Sequence, residues 1–473
     1  MTKKIIIIGS GARECGILMK MKQSYQAQMY DFITLGTNAN PYQCIHSIFI
    51  KLDSYDYNSI TSQPIFNDSS NIHMVIIGPE APIVSGVEYY FKHLGIFTLA
   101  PSKEASVIES SKIFARRLLD ETDKLFKYNP IFGDLKHTLN NTFTVSNFGE
   151  RIIKFKEING VDIVIKKDGL CGGAGVYVEG DHFSIDLQDK NKFLNSELLN
   201  ELLEYLKIEG NDILLEEKLE GIEFSLMSLV DETENLVHFE PIFDYKRLEE
   251  DNLGPNTGSM GSVLLNKSTL YKFLDNSIIN EAQIVNCETI KALNRKNSCK
   301  YKGVLYGSYM LCPGNKLKVI EFNCRFGDPE GVLALNSIKN DLIDVFDHIK
   351  TNTLSTVELE YKNKNIVGIY CVPYDYGFKN RNPDKYDIYF RNKMDIINTN
   401  MLKNKFSDEL AIIYGACDMI QNHIYTSKSR TILVLSSDDY LYKAINCVYR
   451  NIDDVVSRLK YRTDIGSKFI FYL

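Results

Sequence analysis

Short apolar segments alternate with helical patterns over the start of the chain, and this alternation constrains the fold more than any other feature. Residues 5–8 are four consecutive isoleucines, and similar apolar segments occupy 32–35, 74–77 and 96–99. Each ends near a glycine, a proline or a small polar cluster, with helical patterns such as 84–94 between them. Strands that alternate with helices form a parallel sheet covered on both faces. We therefore predict an α/β protein whose N-terminal domain, residues 1–102, holds a Rossmann-like parallel sheet.

Composition and charge argue against several classes of partner. The net charge of −7 disfavours general nucleic-acid binding and a basic membrane-facing surface. The ten cysteines are scattered without a C-x-x-C pair, which indicates reduced thiols rather than a structural zinc site. The N-terminal apolar run ends at Gly9, too early for a signal peptide, and no stretch approaches the roughly 20 apolar residues of a membrane span. We expect a cytoplasmic protein with no nucleic-acid and no membrane partner.

The rest of the chain is long enough for further domains, because 473 residues exceed what a single core usually holds. Residues 103–122 have the pattern of one long amphipathic helix, and 125–150 look irregular. Apolar patterns then predict strands at 162–167, 176–178, 212–218, 223–231, 236–243, 303–312 and 317–323. A polar segment at 352–365 predicts a linker to a small C-terminal α/β unit.

The end of the strand at 317–323 carries a candidate metal site. Side chains on a strand alternate between its faces, so Glu321 and Asn323 point the same way. Two oxygen ligands suit a hard cation such as Mg²⁺. Arg325 and Asp328 follow where the strand ends, a common place for a site in an α/β protein. Taken alone, the same pattern is also that of a solvated polar strand face.

Two glycine loops are candidates for phosphate binding. The loop Gly9–Gly11 lacks the dinucleotide spacing, but its backbone N–H groups and Arg13 could bind an anion; an ordinary tight turn explains it equally well. The loop 168–175 contains four glycines between two strands, lacks the Walker A lysine and could close over a triphosphate. Lys166 precedes this loop, a position that suits either phosphate contact or a surface lysine.

Three other polar segments add to this pattern. Glu80 lies in a rigid turn after a strand, Glu217 and Glu223 border a connector along which an adenine could lie, and Lys246-Arg247 precedes a glycine loop at 254–261. Each is ordinary by itself. The glycine-rich loops at 168–175 and 254–261, several cations and the Glu/Asn pair in one chain together indicate ATP-dependent chemistry.

Four motifs taken together resemble those of one enzyme family. They are Gly78–Pro82, Lys166–Leu170, Gly254–Gly261 and Glu321–Glu330, and they look like the motifs of phosphoribosylamine–glycine ligase, an ATP-grasp enzyme of purine synthesis. The resemblance extends over the whole chain. It implies that the carboxylate of glycine attacks the γ-phosphate of ATP, and that the amine of 5-phosphoribosylamine then displaces phosphate from glycyl phosphate. It also implies an ATP-grasp domain at 103–352 with a lid subdomain at about 125–190, a C-terminal domain at 353–473, and a monomer.

The resemblance assigns roles to residues in three groups and a metal pair. Glu321 and Asn323 would hold Mg²⁺ or Mn²⁺. The ATP group comprises Lys112, Lys166, Gly172, Gly173, Gly175, Glu217, Leu219 and Glu223. The catalytic residues, here called the glycine group, comprise Asn256, Thr257, Arg325 and Asp328, which would shape the pocket for glycine and the acyl phosphate, and Lys246 and Arg247, which would lie near the transferred phosphate. The phosphoribosylamine group comprises Gly11, Arg13, Glu14 and Glu80.

The chain departs from the family pattern at several positions. Cys15-Gly16 stands where the family usually has His-Ala, Ala174 where it has a lysine, Val372–Tyr374 in place of Gly-Tyr-Pro, and Lys428-Ser429 in place of Gly-Gly. Lys167 could partly replace the cation lost at Ala174, although strand alternation places it opposite Lys166. Two alternatives therefore stay open: an ATP-grasp carboxylate–amine ligase of shifted specificity, and a catalytically weakened nucleotide-binding homologue.

Overall fold

The computed structural model describes residues 2–136, 144–172, 175–208, 210–377, 410–421, 423–455 and 459–470. The chain divides into two compact units. The larger unit comprises Met1–Ser106, Phe224–Gly307 and Asn323–Leu473, and the smaller unit comprises Val107–Glu223 and Ser308–Phe322. None of the helices within these described ranges is long and apolar enough to cross a membrane.

The larger unit begins with a five-stranded parallel sheet, as predicted. Its strands are β1 (Lys3–Ile8), β2 (Tyr30–Gly36), β3 (Ile48–Lys51), β4 (Ile72–Ile77) and β5 (Thr98–Leu99), in the spatial order β3-β2-β1-β4-β5. The helices between them are α1 (Ala12–Met21), α2 (Pro41–His46), α3 (Tyr57–Thr61), α4 (Glu80–Ser85) and α5 (Val87–His93). The four isoleucines of β1 are fully buried, as expected for a parallel strand covered on both faces.

This sheet brings two predicted loops together. Strands β1 and β4 are neighbours and run in the same direction, so the loops after them lie at the same edge of the sheet. The N–H of Gly78 donates to the carbonyl of Ile8 at 2.9 Å, which fixes the turn after β4 beside the loop that begins at Gly9. The glycine loop and the turn that carries Glu80 are therefore adjacent.

The smaller unit is built on a four-stranded antiparallel sheet in the order β6-β9-β7-β8. In chain order its elements are α6 (Val107–Ser110), α7 (Lys112–Asp120), β6 (Phe132–Lys136), α8 (Val145–Asn159), β7 (Ile163–Lys167), β8 (Val176–Val178), α9 (Asn191–Leu194), α10 (Glu197–Lys207) and β9 (Asp212–Glu217). Its core joins Phe148 and Ile152 of α8 with Leu202 of α10 and with Ile165 and Leu215 of the sheet.

The single helix predicted over 103–122 is wrong, because the chain breaks at Ser111. Ser111 is extended, with φ −134°, and its Oγ accepts a hydrogen bond from the N–H of Phe114 at 3.1 Å. A serine at this N-cap position satisfies a backbone donor that would otherwise be unpaired at the start of the helix. The break places Lys112 on the first turn of α7. The region predicted as irregular also contains β6 and the beginning of α8.

The second sheet of the larger unit is antiparallel where its pairings are defined, and it includes the C-terminal part of the chain. Its strands follow the order β14-β10-β12-β13-β16-β20-β17. In chain order the strands of this sheet are β10 (Ile222–Val230), β11 (Leu236–His238), β12 (Ile242–Asp244), β13 (Gly261–Leu264), β14 (Gly303–Cys312), β15 (Lys316–Asn323), β16 (Asn365–Pro373), β17 (Leu410–Tyr414), β20 (Ile432–Asp438) and β21 (Leu459–Lys460). Strands β18 (Cys417–Ile420) and β19 (His423–Thr426) pair with each other in a separate two-stranded sheet.

The remaining helices are α11 (Lys267–Leu270), α12 (Asn276–Asn297), α13 (Glu330–Ser337), α14 (Leu342–Lys350), α15 (Leu441–Val455) and α16 (Ser467–Ile470). Short 3₁₀ turns occur at Ala27–Met29, Pro64–Phe66, Phe126–Tyr128, Glu250–Asn252 and Leu354–Thr356. Strand β15 pairs with β14, and the predicted metal pair lies at the end of β15.

Candidate active site

A buried cluster of charges lies at the end of β7 in the smaller unit. Lys166 Nζ is 2.7 Å from Glu216 Oε2, and Arg116 donates to the other carboxylate oxygen of Glu216 and, at 2.6 Å, to the carbonyl of Ile320. Burial lowers the pKa of Lys166; burial opposes ionisation of Glu216, but Arg116 and Lys166 together lower its pKa. Two cations sharing one carboxylate leave a net positive charge, which suits an anionic ligand.

The loop after β7 is held by the start of α7. Ser111 Oγ donates to Asp168 Oδ2 at 2.8 Å, and the N–H of Ile113 donates to Asp168 Oδ1 at 3.2 Å. Lys112 Nζ donates to the carbonyl of Gly169 at 2.7 Å. The ammonium group of Lys112 therefore lies against the backbone of the glycine loop.

The glycines of this loop have backbone angles that favour glycine. Gly172 has φ +56° and Gly175 has φ +115°, and the carbonyl of Gly175 accepts from the N–H of Lys167 at 2.8 Å. Gly173 and Ala174, on which the predicted loss of a cation depends, lie outside the described residues.

Lys167 is engaged on the face of β7 opposite Lys166. Its Nζ lies 3.0 Å from Glu201, which also accepts from Tyr177 Oη at 2.6 Å, and 4.9 Å from the centre of the Tyr205 ring. The strand alternation predicted for the two lysines is what the structure has. Lys167 therefore has partners of its own, away from the buried cluster.

The three residues predicted to border adenine and ribose follow one another from the end of β9, through the connector, to the start of β10. Glu217 accepts a hydrogen bond from the N–H of Ile131 at 2.9 Å, and Glu223 accepts one from Ser308 Oγ at 3.5 Å. Leu219 is half-buried between them in the chain. All of these residues belong to the smaller unit.

Glu321 and Asn323 are both half-buried near the end of β15. The negative charge of Glu321 acts on Lys166 by opposing the fall in its pKa, so this carboxylate lies near the buried cluster. No group of three or more His, Cys, Asp or Glu in the described part of the chain is arranged to hold a metal ion. The two side chains at the strand end offer a metal ion one carboxylate and one amide oxygen.

In the larger unit, the first loop encloses a buried carboxylate. Glu14 is only 2% exposed and accepts from the N–H of Gly11 at 2.8 Å and from Arg13 Nε at 2.6 Å. A Cβ at Gly78 would lie 1.9 Å from Glu14 Oε1, so the turn after β4 leaves room for Glu14 only because it has no side chain there. Arg13 also donates to the carbonyl of Phe326 at 3.1 Å, which links the loop to the segment after β15.

Glu80 and Arg325 form an ion pair beside this loop. Arg325 Nε lies 3.1 Å from Glu80 Oε2, and another guanidinium nitrogen lies 3.4 Å from Asn323 Oδ1. The charge of Arg325 lowers the pKa of Glu80 to about 2; burial acts in the opposite direction, and Arg13 adds to the lowering. Glu80 is therefore a permanent carboxylate at neutral pH, flanked by two arginines.

The pair makes the stability of the protein depend on pH in a defined window. Since the folded-state pKa of Glu80 is about 2 and its ordinary value is 4.5, the ionised pair stabilises the folded state above pH 4.5. This contribution is lost as the pH falls from 4.5 toward 2. We expect the difference in unfolding free energy between wild type and Glu80→Gln to shrink over that window in urea titrations. An equal difference at both ends of it would contradict the assignment.

The loop at 254–261 folds back on the basic pair that precedes it. The N–H and Oγ1 of Thr257 both donate to the carbonyl of Lys246 at 2.8 Å. Arg247 donates to the carbonyl of Gly254 at 2.8 Å and pairs through its backbone with Asn256. Four predicted members of the glycine group are thus brought together.

Asp328 is held by two residues that the sequence did not reveal. Arg430 donates to Asp328 Oδ2 at 2.9 Å and to the carbonyl of Gly258 at 2.5 Å, and Tyr370 Oη donates to Asp328 Oδ1. The one indication in the sequence was that Arg430 follows Lys428-Ser429, where the resemblance already pointed to an altered motif. Nothing local shows that it reaches Asp328.

Comparisons with known proteins agree with these motifs. The N domain of phosphoribosylglycinamide synthetase matches residues 3–109, and its ATP-grasp (A) domain matches residues 111–331. The phosphoribosylamine–glycine ligase of Methanococcus maripaludis strain C5 is 31% identical over 467 residues, covering 98% of this chain and 96% of that relative. The Methanocaldococcus jannaschii enzyme of the same name is 31% identical over 470 residues, with the same coverage of both chains.

Solved structures share the fold. The crystal structure of phosphoribosylamine–glycine ligase from Thermotoga maritima matches with a TM-score of 0.69 and 20% identity, covering 98% of this chain and 100% of that chain. Biotin carboxylase from Campylobacter jejuni matches with a TM-score of 0.65 and 13% identity, covering 97% and 93%. The predicted fold class, with an N-terminal parallel sheet, a central ATP-grasp fold and a C-terminal α/β part, is confirmed. With its sequence related to these ligases over nearly its full length, the chain belongs to the phosphoribosylamine–glycine ligase family.

Proposed function

We propose that this protein joins glycine to 5-phosphoribosylamine with ATP, giving glycinamide ribonucleotide, ADP and phosphate in de novo purine synthesis. The observation that carries the proposal is the 31% identity to ligases of that name over 98% of the chain. The buried charges and loops described above support it.

The smaller unit supplies the proposed ATP site. The net positive cluster at Lys166 is suited to the phosphates, and Lys112 holds the loop that would cover them. The proposed ATP ligands are Lys112, Lys166, Gly172, Gly173, Gly175, Glu217, Leu219 and Glu223. Glu217, Leu219 and Glu223 would border adenine and ribose.

Glu321 and Asn323 fit a magnesium ion in their donor chemistry. Mg²⁺ is commonly bound through one or two carboxylates together with substrate phosphates and water, so a carboxylate and an amide oxygen suffice when ATP completes the shell. Mn²⁺ takes the same kind of ligand and is proposed as a substitute. When bound, the ion would neutralise charge on the phosphates.

The larger unit supplies the proposed sites for glycine and phosphoribosylamine. A carboxylate oxygen of glycine forms a bond to the γ-phosphorus as the bond to ADP breaks. The amine nitrogen then bonds to the glycyl carbonyl carbon, phosphate leaves, and the nitrogen loses a proton; no covalent enzyme intermediate is needed. The proposed glycine and acyl-phosphate residues are Lys246, Arg247, Asn256, Thr257, Arg325 and Asp328, and the proposed phosphoribosylamine residues are Gly11, Arg13, Glu14 and Glu80.

Charge explains these assignments. Arginines and lysines neutralise the phosphate as it transfers and leaves, and such positioning and neutralisation are most of what phosphoryl transfer requires. Glu80, ionised at neutral pH, can accept hydrogen bonds from ribose hydroxyls. We also propose domains at 1–102, 103–352 (lid about 125–190) and 353–473, a monomeric state and a cytoplasmic location.

Release of ADP by the purified protein tests the proposal. The mixture contains ATP, Mg²⁺, glycine and phosphoribosylamine generated in place, and each component is omitted in turn. We expect release to require both glycine and phosphoribosylamine, because the amine is needed for turnover. ATP binding without release would instead support a catalytically weakened homologue. Release with another amine or amino acid, but not with this pair, would indicate shifted specificity.

A further inference from the structure

Arg430 joins two segments of the larger unit that the sequence places far apart. Its guanidinium donates to Asp328 Oδ2 at 2.9 Å and also to the main-chain carbonyl of Asp328. The same group donates to the carbonyl of Gly258 at 2.5 Å. One side chain therefore holds both the loop at 254–261 and the segment after β15.

The Tyr370 ring lies against the guanidinium of Arg430. The central carbon of this guanidinium lies 4.9 Å from the centre of the Tyr370 ring, and Tyr370 donates its hydroxyl to Asp328 Oδ1. Tyr370 is fully buried, and burial together with Asp328 raises its pKa, so the hydroxyl keeps its proton. Asp328 thus receives hydrogen bonds on both carboxylate oxygens, one of them from a cation.

Gly258 is held from two directions. Its carbonyl accepts from Arg430, and its N–H donates to Tyr376 Oη at 3.2 Å. A Cβ at this position would lie 3.3 Å from the central carbon of the guanidinium, tighter than most contacts of that kind. Glycine here lets the loop backbone approach the arginine closely enough for the hydrogen bond.

We propose that Arg430 is a positioning residue for the ligase reaction. It restrains the loop at 254–261 against Asp328, so that Asn256 and Thr257 keep one arrangement relative to Asp328. It acts through Asp328 and Gly258 and contacts no substrate itself. The inference rests on the proposed function, in which these residues surround glycine and the acyl phosphate.

Steady-state kinetics of Arg430→Met and Arg430→Lys test this role. Loss of charge-assisted hydrogen bonds is expected to lower kcat/KM for glycine by about 10- to 100-fold in the Met variant, and less in the Lys variant, which can keep one contact. KM for ATP is expected to stay near the wild-type value, because the proposed ATP ligands are in the smaller unit.

Lys302→Met is the matched control for a purely structural effect. Lys302 is also buried in the larger unit, 2.7 Å from Glu88 and 3.1 Å from Glu232, and has no proposed part in the reaction. We expect this variant to lose stability while its glycine kinetics stay unchanged. If Arg430→Met left kcat/KM for glycine unchanged, as expected for Lys302→Met, or if it lowered kcat/KM for glycine and for ATP by the same factor, the inference would be overturned.

Hydrogen–deuterium exchange separates this inference from the proposed function. Amides of residues 254–261 are expected to exchange faster in Arg430→Met than in wild type, and to be restored in part by Arg430→Lys. If wild type showed no release of ADP dependent on glycine and phosphoribosylamine, the proposed function would fail and the exchange rates would still report on the restraint. Equal exchange in wild type and Arg430→Met would overturn the inference in either case.

Discussion

Lys166→Met is expected to lower kcat/KM for ATP by about 10²- to 10³-fold, the usual effect of removing one donor that stabilises developing charge in a water-poor site. The ammonium of Lys166 is one of two cations around Glu216, and it is the one on the strand that leads into the glycine loop. Without it, the cluster becomes neutral overall, and the phosphates lose their attraction to it.

The substitution should leave the fold intact. Glu216 keeps its hydrogen bond to Arg116, so no buried carboxylate is left unpaired, and the expected loss of stability is small. Lys167→Met is the matched control, because the neighbouring lysine pairs with Glu201 on the opposite face of the strand. Equal losses of ATP turnover in the two variants would show that Lys167 also serves the phosphates, and would contradict the assignment of Lys166 alone.

Glu321→Ala is expected to reduce kcat by about 10³-fold, since the metal ion would lose its charged protein ligand while it neutralises the transferring phosphate. The dependence of the rate on Mg²⁺ concentration should shift to higher concentrations. Glu321→Gln keeps an oxygen ligand without the charge, so its kcat and its Mg²⁺ requirement should lie between those of wild type and Glu321→Ala. Titrations of Mg²⁺ at saturating ATP and glycine measure both effects.

Glu204→Gln serves as the control for that experiment. Glu204 is an exposed carboxylate of the same unit, 2.6 Å from Lys207, so removing its charge should change neither kcat nor the Mg²⁺ dependence. If Glu321→Ala needed no more Mg²⁺ than wild type, the proposed metal site at the end of β15 would be wrong.

Local pattern was enough for the features that depend on neighbouring residues. The parallel sheet followed from its apolar strands, and the opposite faces of Lys166 and Lys167 followed from strand alternation. The break at Ser111 was missed because helix periodicity continues across it, whereas a hydrogen bond to the distant Asp168 favours the cap.

Contacts between distant segments could not be predicted in this way. Arg430 and Asp328 are 102 residues apart, and the contact depends on how β16 and β20 pair in the second sheet. The burial of Glu14, in α1, depends on the absence of a side chain at Gly78, in the turn after β4. The sequence gives the chemical type of each of these residues but does not show which distant residue it contacts.

The enclosure of Glu14 limits how this chain can diverge. Added methyl groups at Gly9 or Gly78 would come within 2.5 Å and 1.9 Å of atoms of the Glu14 side chain, so neither position can drift while Glu14 remains. A shorter residue at position 14 would make room for a side chain at Gly78 but would remove the carboxylate that accepts from Gly11 and Arg13. Gly9 would still favour glycine, because its φ is +126°. A side chain at position 78 therefore requires a change at position 14, whereas position 9 is restricted to glycine by its own backbone as well.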